Sequence, residues 1–389
     1  WVRRRQLLTA ALLATAVSIF WYGLNYTSLF SYSNIAIYAF RKGSAAGGLI
    51  LHRPSEQVKF NGMTSLGIFA RSTPPASLSR DSMKSVLLKQ FADTHPQETP
   101  PKVRRILVVA YFRSGSSFLG HLLSANPRTF YHYEPLWMLS NASRLRGEAA
   151  LRGLDYVTDF FGCDFVKHSD YLQLAINHVH PFRQNTHLWD VCKGVKRVCL
   201  DPDFLNAVCK TAPMQVMKVT RIDMDTVRSY LLDGPTSTSQ ELSVVHLVRH
   251  PHAIWLSRQQ RPFCTAEPNC TSTAVLCDEI ERDMDVFDKV SQEFPGRVIQ
   301  VRYEDLVLDT LNVTSKMYDA LGMPFTESVR RFIESHTQET NVTVQRHPFA
   351  TSRNSKDVVN AWKQKVKPED ALRISKDCQR VIKRLGYEL

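Results

Sequence analysis

From about residue 103 onward, apolar residues fall along this chain in two alternating patterns. Short unbroken apolar runs of strand length are followed by segments in which apolar residues recur every three or four positions. The runs at 105–112 (RILVVAYF), 129–135 (TFYHYEP), 214–222 (MQVMKVTRI), 242–250 (LSVVHLVRH) and 297–306 (RVIQVRYEDL) predict strands, with 214–222 and 242–250 buried. The segments at 116–125, 252–260, 277–294 and 309–321 predict helices, closed respectively by Asn126-Pro127, nothing obvious, Pro295-Gly296 and Gly322. Alternation of this kind predicts an α/β fold, a P-loop-like parallel sheet with helices on both faces. Ligands of such sheets bind beyond the carboxyl ends of the strands.

Ahead of this region the pattern changes. Arg3, Arg4 and Arg5 precede Leu7 to Leu24, 18 residues without a charge, near the minimum that spans a hydrocarbon core. Phe20, Trp21 and Tyr22 stand at the far end, where an aromatic belt belongs, and the arginines place the N-terminal side in the cytoplasm. A cleaved signal peptide is the competing reading, disfavoured by bulky aromatics where small residues belong at a cleavage site. The expected organisation is a cytoplasmic tail at 1–6, a transmembrane signal anchor at 7–24, a lumenal stem at 25–103 with little fixed structure, and a catalytic domain at 104–389. Sequons at Asn25, Asn141, Asn269, Asn312 and Asn341 agree with a lumenal address. So do eight cysteines, all beyond the anchor, whose even number implies disulfides of open connectivity. Cys264, Cys270 and Cys277 are close enough for two of them to close a local loop. Zinc is the weaker alternative, because no C-x-x-C pair occurs.

Net charge is +12, from 49 basic and 37 acidic residues. That favours an anionic partner without choosing among phosphate, sulfate, acidic polysaccharide, nucleic acid or membrane. The choice narrows at the turn RSGSS, Arg113 to Ser117, which links the first strand to the first helix. Gly115 lets backbone approach an oxyanion. The amides of Gly115, Ser116, Ser117 and Phe118 can share one concavity at a helix N-terminus, where the dipole favours negative charge. Arg113 adds a planar cation. An ATP-binding loop would carry a lysine that is missing here, so a nucleotide kinase is disfavoured. The bland alternative is a helix merely capped by serine. A second strand–turn–helix, VVHLVRHPHAIWLSR (244–258), places Arg249 at a strand end and Ser257 about two turns into the next helix. Two anion sites at two strand ends suit a nucleotide with phosphates in two separate places.

These motifs together resemble those of the Golgi carbohydrate 6-O-sulfotransferases. FRSGSSFLG is similar to that family's 5′-phosphosulfate loop, and RHPHAIWLSR to its 3′-phosphate motif. FYHYEPLW (130–137), VRYEDL (301–306) and the tail SRNSKDVVNAWK also match, so the resemblance runs from about Arg104 to the C-terminus. His250 stands where the family usually has an acid, and His252 where it has a basic residue. The resemblance implies the sulfotransferase fold and transfer of a sulfuryl group from 3′-phosphoadenosine 5′-phosphosulfate to a sugar hydroxyl, without a metal. It implies a donor site at Tyr111, Phe112, Arg113, Ser114, Gly115, Ser116, Ser117, Phe118, Arg249 and Ser257. The implied partners are a glycan on a glycoprotein or proteoglycan and the Golgi membrane, with no nucleic acid and a homo-oligomer left open.

Transfer needs a base for the hydroxyl proton. Glu134, at the end of the short second strand, is the expected base, with Arg113 neutralising the leaving phosphate. A structural ion pair to a nearby arginine is the alternative for Glu134. His132 shares a face with residue 134 in a regular strand and so is expected to assist it, while His121 packs or caps. Lys218 and Arg221 line the cleft or form a salt bridge. Arg353 and Lys356 are lesser donor-contact candidates. Trp137, Trp189, Trp255 and Trp362 either stack on sugars or fill the core. A lumenal glycan-binding protein without catalysis is the rival function.

Overall fold

The five apolar runs form one five-stranded sheet: β1 (Arg104–Val109), β2 (Thr129–Tyr133), β3 (Met214–Val219), β4 (Leu242–Val248) and β5 (Val298–Arg302). A computed structural model describes residues 79–94, 102–337 and 359–387. The expected anchor, Asn25, Asn341, Arg353 and Lys356 lie outside the described residues. The strand order is β2-β3-β1-β4-β5 and every pairing is parallel. The connection after β1 therefore leads toward one edge, to β2, and the connection after β4 toward the other, to β5. That reversal makes the crevice between the β1 and β4 ends the switch point at which such sheets bind ligands.

Alternation along the strands divides the core. Leu107 and Val109 of β1 join Phe130, Met217 and Val219 on one face, under the Glu148–Phe161 and Pro202–Lys210 helices. Ile106 and Val108 join Leu119, Leu122, Val216 and Val245 on the other. Burial on both faces explains runs that read as continuously apolar rather than alternating.

All five strands end sooner than their apolar runs. The excess residues are the loops that carry charge and hydroxyls, and after β5 the stretch Tyr303–Leu308 is helix rather than strand. Glu304 and Asp305 fall in its first turn, where the helix dipole favours acids. The stem expectation also needs correction. Arg80–Thr94 is a helix, with Leu87 and Phe91, four residues apart, buried in the first core cluster. Lys84 ties it down through Asp201 (2.6 Å) and Asp203 (2.9 Å).

All eight cysteines are paired, as Cys163–Cys209, Cys192–Cys199, Cys264–Cys270 and Cys277–Cys378. The expected local loop is the one closed by Cys264 and Cys270. Cys277–Cys378 spans 101 residues and fastens the C-terminal helices to the Thr273–Glu293 helix. Closing so long a loop removes the most entropy from the unfolded chain. The Cys277→Ser, Cys378→Ser double variant should therefore lose about 2–5 kcal/mol of stability, measured by denaturant unfolding against the same variant of Cys192 and Cys199.

Candidate active site

The loop after β1 is built to leave backbone amides unused. Gly115 is the N-cap of the Ser116–Ser124 helix, in the left-handed region at φ 92°, and no side chain caps this helix. Serine capping, the bland reading, is thus absent. The amides of Phe118 and Leu119 fold back onto the Gly115 carbonyl at 3.0 and 3.4 Å. Phe118 is therefore a correction to the expected four-amide cradle, because its N–H is spent inside the turn. The amides of Gly115, Ser116 and Ser117 take no partner among the described residues. A β-carbon at Gly115 would lie 2.2 Å from the Tyr303 ring, so this position has room for backbone only.

Several of the expected donor residues build the loop instead of lining it. Tyr111 is buried, its hydroxyl donating to Asp283 Oδ2 (2.8 Å) and lying 3.0 Å from His246 Nε2. Its side chain is behind the loop, a correction to its expected donor contact. Ser114 is also buried, and its Oγ accepts from the Tyr111 amide within the turn. Phe112 places its ring 4.9 Å from the Arg221 guanidinium, and its carbonyl accepts from Arg258 Nε (3.1 Å). The Phe118 ring is buried in the second core cluster. Ser117 is half-buried at the helix start, its Oγ 3.1 Å from the Tyr133 hydroxyl.

The two expected anion sites are joined. Arg113 Nε donates to Ser257 Oγ (3.0 Å), and Arg249 donates to the Arg113 carbonyl (3.1 Å). Arg249 also lies over the Tyr303 ring at 4.4 Å, and its buried Nε has no hydrogen-bond partner among the described residues. The Arg249 guanidinium, held on the Arg113 carbonyl, and the three unused amides of the same turn are donors that fit a ligand carrying more than one oxyanion. The atypical histidines serve the fold. His250 caps the Pro251–Gln259 helix, its Nδ1 accepting from the His252 amide, while its own amide donates to Glu304 Oε1 (3.0 Å). The Trp362 ring packs on both imidazoles, at 4.3 and 4.6 Å.

Glu134 occupies the end of β2 with φ 48°. Its carboxylate accepts from Lys218 Nζ (2.9 Å), Thr220 Oγ1 (2.7 Å) and Arg221 NH1 (2.7 Å). Burial pushes its pKa up, but the charges of Lys218 and Arg221 and the hydrogen bonds outweigh that and hold the carboxyl below its ordinary value. The left-handed turn at Glu134 breaks strand alternation, and the expected partnership with His132 fails. His132 instead stacks on Phe160 and Phe165, both at 6.0 Å, in the aromatic core. The His121 ring bonds Gln184 (2.8 Å), as a packing residue should. Lys218 lies 4.1 Å over the Tyr133 ring, one step from Ser117.

Sequence reasoning missed the buried Arg144, whose guanidinium pairs with Asp283 (2.8 Å) and lies over Tyr111 (4.7 Å). It also missed Arg258, which ties the loop to the Cys264–Cys270 segment through the Cys270 carbonyl. Arg144 sits in no local motif, and Arg258 ends the motif RHPHAIWLSR, where only Arg249 and Ser257 were given roles.

A family model described as "Sulfotransferase family" matches residues 105–327. The chain is similar to carbohydrate sulfotransferase 5 of Mus musculus, 28% identical over 324 residues, covering 72% of this chain and 80% of that protein. It is similar to carbohydrate sulfotransferase 6 of Homo sapiens, 27% identical over 329 residues, with 72% and 80% covered. A solved sulfotransferase domain from the curacin biosynthetic pathway aligns with TM-score 0.44 at 20% identity, covering 74% of this chain and 99% of that one.

Burial among the aromatic rings pushes the His132 imidazole down to about 3. A histidine kept neutral in the folded state contributes stability above its unfolded pKa of about 6.5, and that contribution falls as acid charges the unfolded chain. His132→Phe should therefore remove about 2 kcal/mol from the stability lost between pH 7 and pH 5. Urea midpoints at the two pH values, compared with the unsubstituted chain, read this directly. An unchanged acid slope would place the charged form in the folded core.

Proposed function

The chain belongs to the sulfotransferase family, and from that premise we propose that it transfers a sulfuryl group from 3′-phosphoadenosine 5′-phosphosulfate to a sugar hydroxyl. The acceptor is the 6-OH of galactose, N-acetylglucosamine or N-acetylgalactosamine on a glycoprotein or proteoglycan glycan. The observation that carries this reading is the uncapped Gly115–Ser117 turn joined through Arg113 to Arg249 and Ser257. Its relatives named carbohydrate sulfotransferases support the sugar acceptor.

When bound, the donor supplies the sulfuryl group and a phosphate leaving group. The free amides of Gly115, Ser116 and Ser117 hold its 5′ oxyanions, and Arg249 with Ser257 holds the 3′-phosphate. Arg113 lies between the two and offsets charge developing on the leaving side. Glu134 takes the acceptor proton. In the free enzyme it is a weak base, since two cations share it. Lys218 stands between that carboxylate and the Tyr133–Ser117 side of the loop. An anion at the loop draws the ammonium toward itself, and the carboxylate regains basicity as that charge departs.

The same reading gives the domain a Golgi lumenal address, with 7–24 as its membrane anchor. Four disulfides and the exposure of Asn141, Asn269 and Asn312 support it.

Arg249→Ala should weaken binding of 3′-phosphoadenosine 5′-phosphate about tenfold to a hundredfold, from a lost charge-assisted contact of roughly 1.5–3 kcal/mol. Calorimetric titration on a variant with a normal melting profile measures it, and unchanged affinity would remove Arg249 from the donor site. Glu134→Gln should cut turnover by about 10²–10⁴ while leaving that nucleotide bound. Single-turnover transfer of labelled sulfate separates the two effects, and near-normal turnover would reduce Glu134 to an ion-pair anchor.

A further inference from the structure

We infer that the cleft between Trp137 and the segment Asn177–Pro181 receives a sugar ring of the acceptor, with Trp137 as its stacking platform. This rests on the sulfuryl-transfer reading and adds to it the place where the acceptor sits. Of the tryptophans considered above, three are occupied elsewhere. Trp255 is buried and donates its N–H to the Thr271 carbonyl, Trp362 packs on His250 and His252, and Trp189 lies under Arg183. Trp137 lines a cleft of about 400 Å³, whose other walls are Asn177, His178, Val179, His180 and Pro181. That volume falls within the roughly 300–1,000 Å³ usual for small-molecule sites.

The lining chemistry selects the class of occupant. A sugar ring has an apolar C–H face and a rim of hydroxyls. The cleft is lined by an indole, two imidazoles and one amide, and no carboxylate or ammonium lines it. His178 stands edge-on to the indole at 5.3 Å, so aromatic surface meets hydrogen-bonding edge at one corner. An uncharged polyhydroxylated ring satisfies both without burying an unpaired charge.

The cleft also leads to the reacting groups. The Trp137 amide donates to the Glu134 carbonyl (3.1 Å), so the platform and the proposed base belong to one turn. On the opposite wall, His180 meets the Tyr133 ring edge-on at 5.9 Å, and the Tyr133 hydroxyl is 3.1 Å from Ser117 Oγ of the donor loop. Gln184 braces this wall, contacting His180 Nε2 at 3.2 Å and His121 at 2.8 Å. A ring seated on Trp137 is thus flanked by the carboxylate's turn on one side and the donor loop's neighbour on the other.

The test uses the full chain with 3′-phosphoadenosine 5′-phosphosulfate and unsulfated oligosaccharides built from galactose, N-acetylglucosamine or N-acetylgalactosamine. Trp137→Ala should raise the acceptor KM about tenfold or more, as loss of a central aromatic anchor does, while the affinity for 3′-phosphoadenosine 5′-phosphate stays within about twofold. Trp137→Phe should recover most of the acceptor affinity. His180→Ala, on an exposed ring, should raise acceptor KM by several-fold and keeps the test open if Trp137→Ala does not fold. An unchanged acceptor KM in folded Trp137→Ala and His180→Ala, or equal weakening of donor and acceptor, would overturn the cleft assignment while the enzyme still works. An unsubstituted chain that binds the nucleotide but sulfates no glycan would overturn the functional reading itself, and the cleft's role with it.

Discussion

Tyr303 presses so closely on Gly115 that no β-carbon fits between them, and the same ring carries the Arg249 guanidinium on its face. One side chain therefore touches both the loop after β1 and the loop after β4. Two independent constraints hold position 115 to glycine: its left-handed φ strains any L side chain, and the ring leaves no room for a β-carbon. Three amides at this helix start are left without a partner among the described residues. On the reading proposed above, an oxyanion would supply the partners that these donors lack in the free protein.

Behind the loop lies a buried polar layer. Arg144, Asp283, Tyr111, His246 and Gln300 form a connected chain of contacts, from Arg144–Asp283 at 2.8 Å to Gln300–His246 at 3.1 Å. Asp283 also accepts from the Met224 amide (2.9 Å), so its charge is fully used. A network this deep has one low-energy arrangement, because each misplaced member strands a buried donor or acceptor. It fixes the backbone at Tyr111 and Phe112, and hence the direction in which the loop leaves the sheet. Arg258 fixes the other side, through the Phe112 and Cys270 carbonyls. The disulfide-closed segment Cys264–Cys270 thus supports the site without lining its amides.

The two histidines in the second loop show how a departure from the family's usual residues is absorbed. An acid at position 250 would cap the helix through a carboxylate, and the His250 imidazole makes the same bond from Nδ1. The acid is not lost from the neighbourhood. Glu304 accepts from the His250 amide and from the Tyr387 hydroxyl (2.6 Å), joining the loop after β4 to the C-terminal segment. Stacking by Trp362 and Tyr387 on His250 then shields the pair from water.

The parallel α/β sheet, the strand identities and the positions of RSGSS and Arg249 just beyond the ends of β1 and β4 were all legible in the sequence, because each is written over a few neighbouring residues. Buried parallel strands give unbroken apolar runs, and an anion turn needs glycine beside donors. What only the tertiary structure decided depends on residues far apart in the chain. Glu134 meets Lys218 and Arg221 because β2 and β3 are adjacent in register, Tyr133 beside Lys218. Regular alternation would have put His132 with Glu134, but one left-handed residue turned the carboxylate toward β3 and left the imidazole among phenylalanines. The Arg80–Thr94 helix reads as linker until Leu87 and Phe91 find a core that lies beyond its own sequence. Local pattern fixes an element's type through backbone sterics and periodic burial. Which side chains meet is set by how the sheet orders its strands, and no short stretch of the chain contains that order.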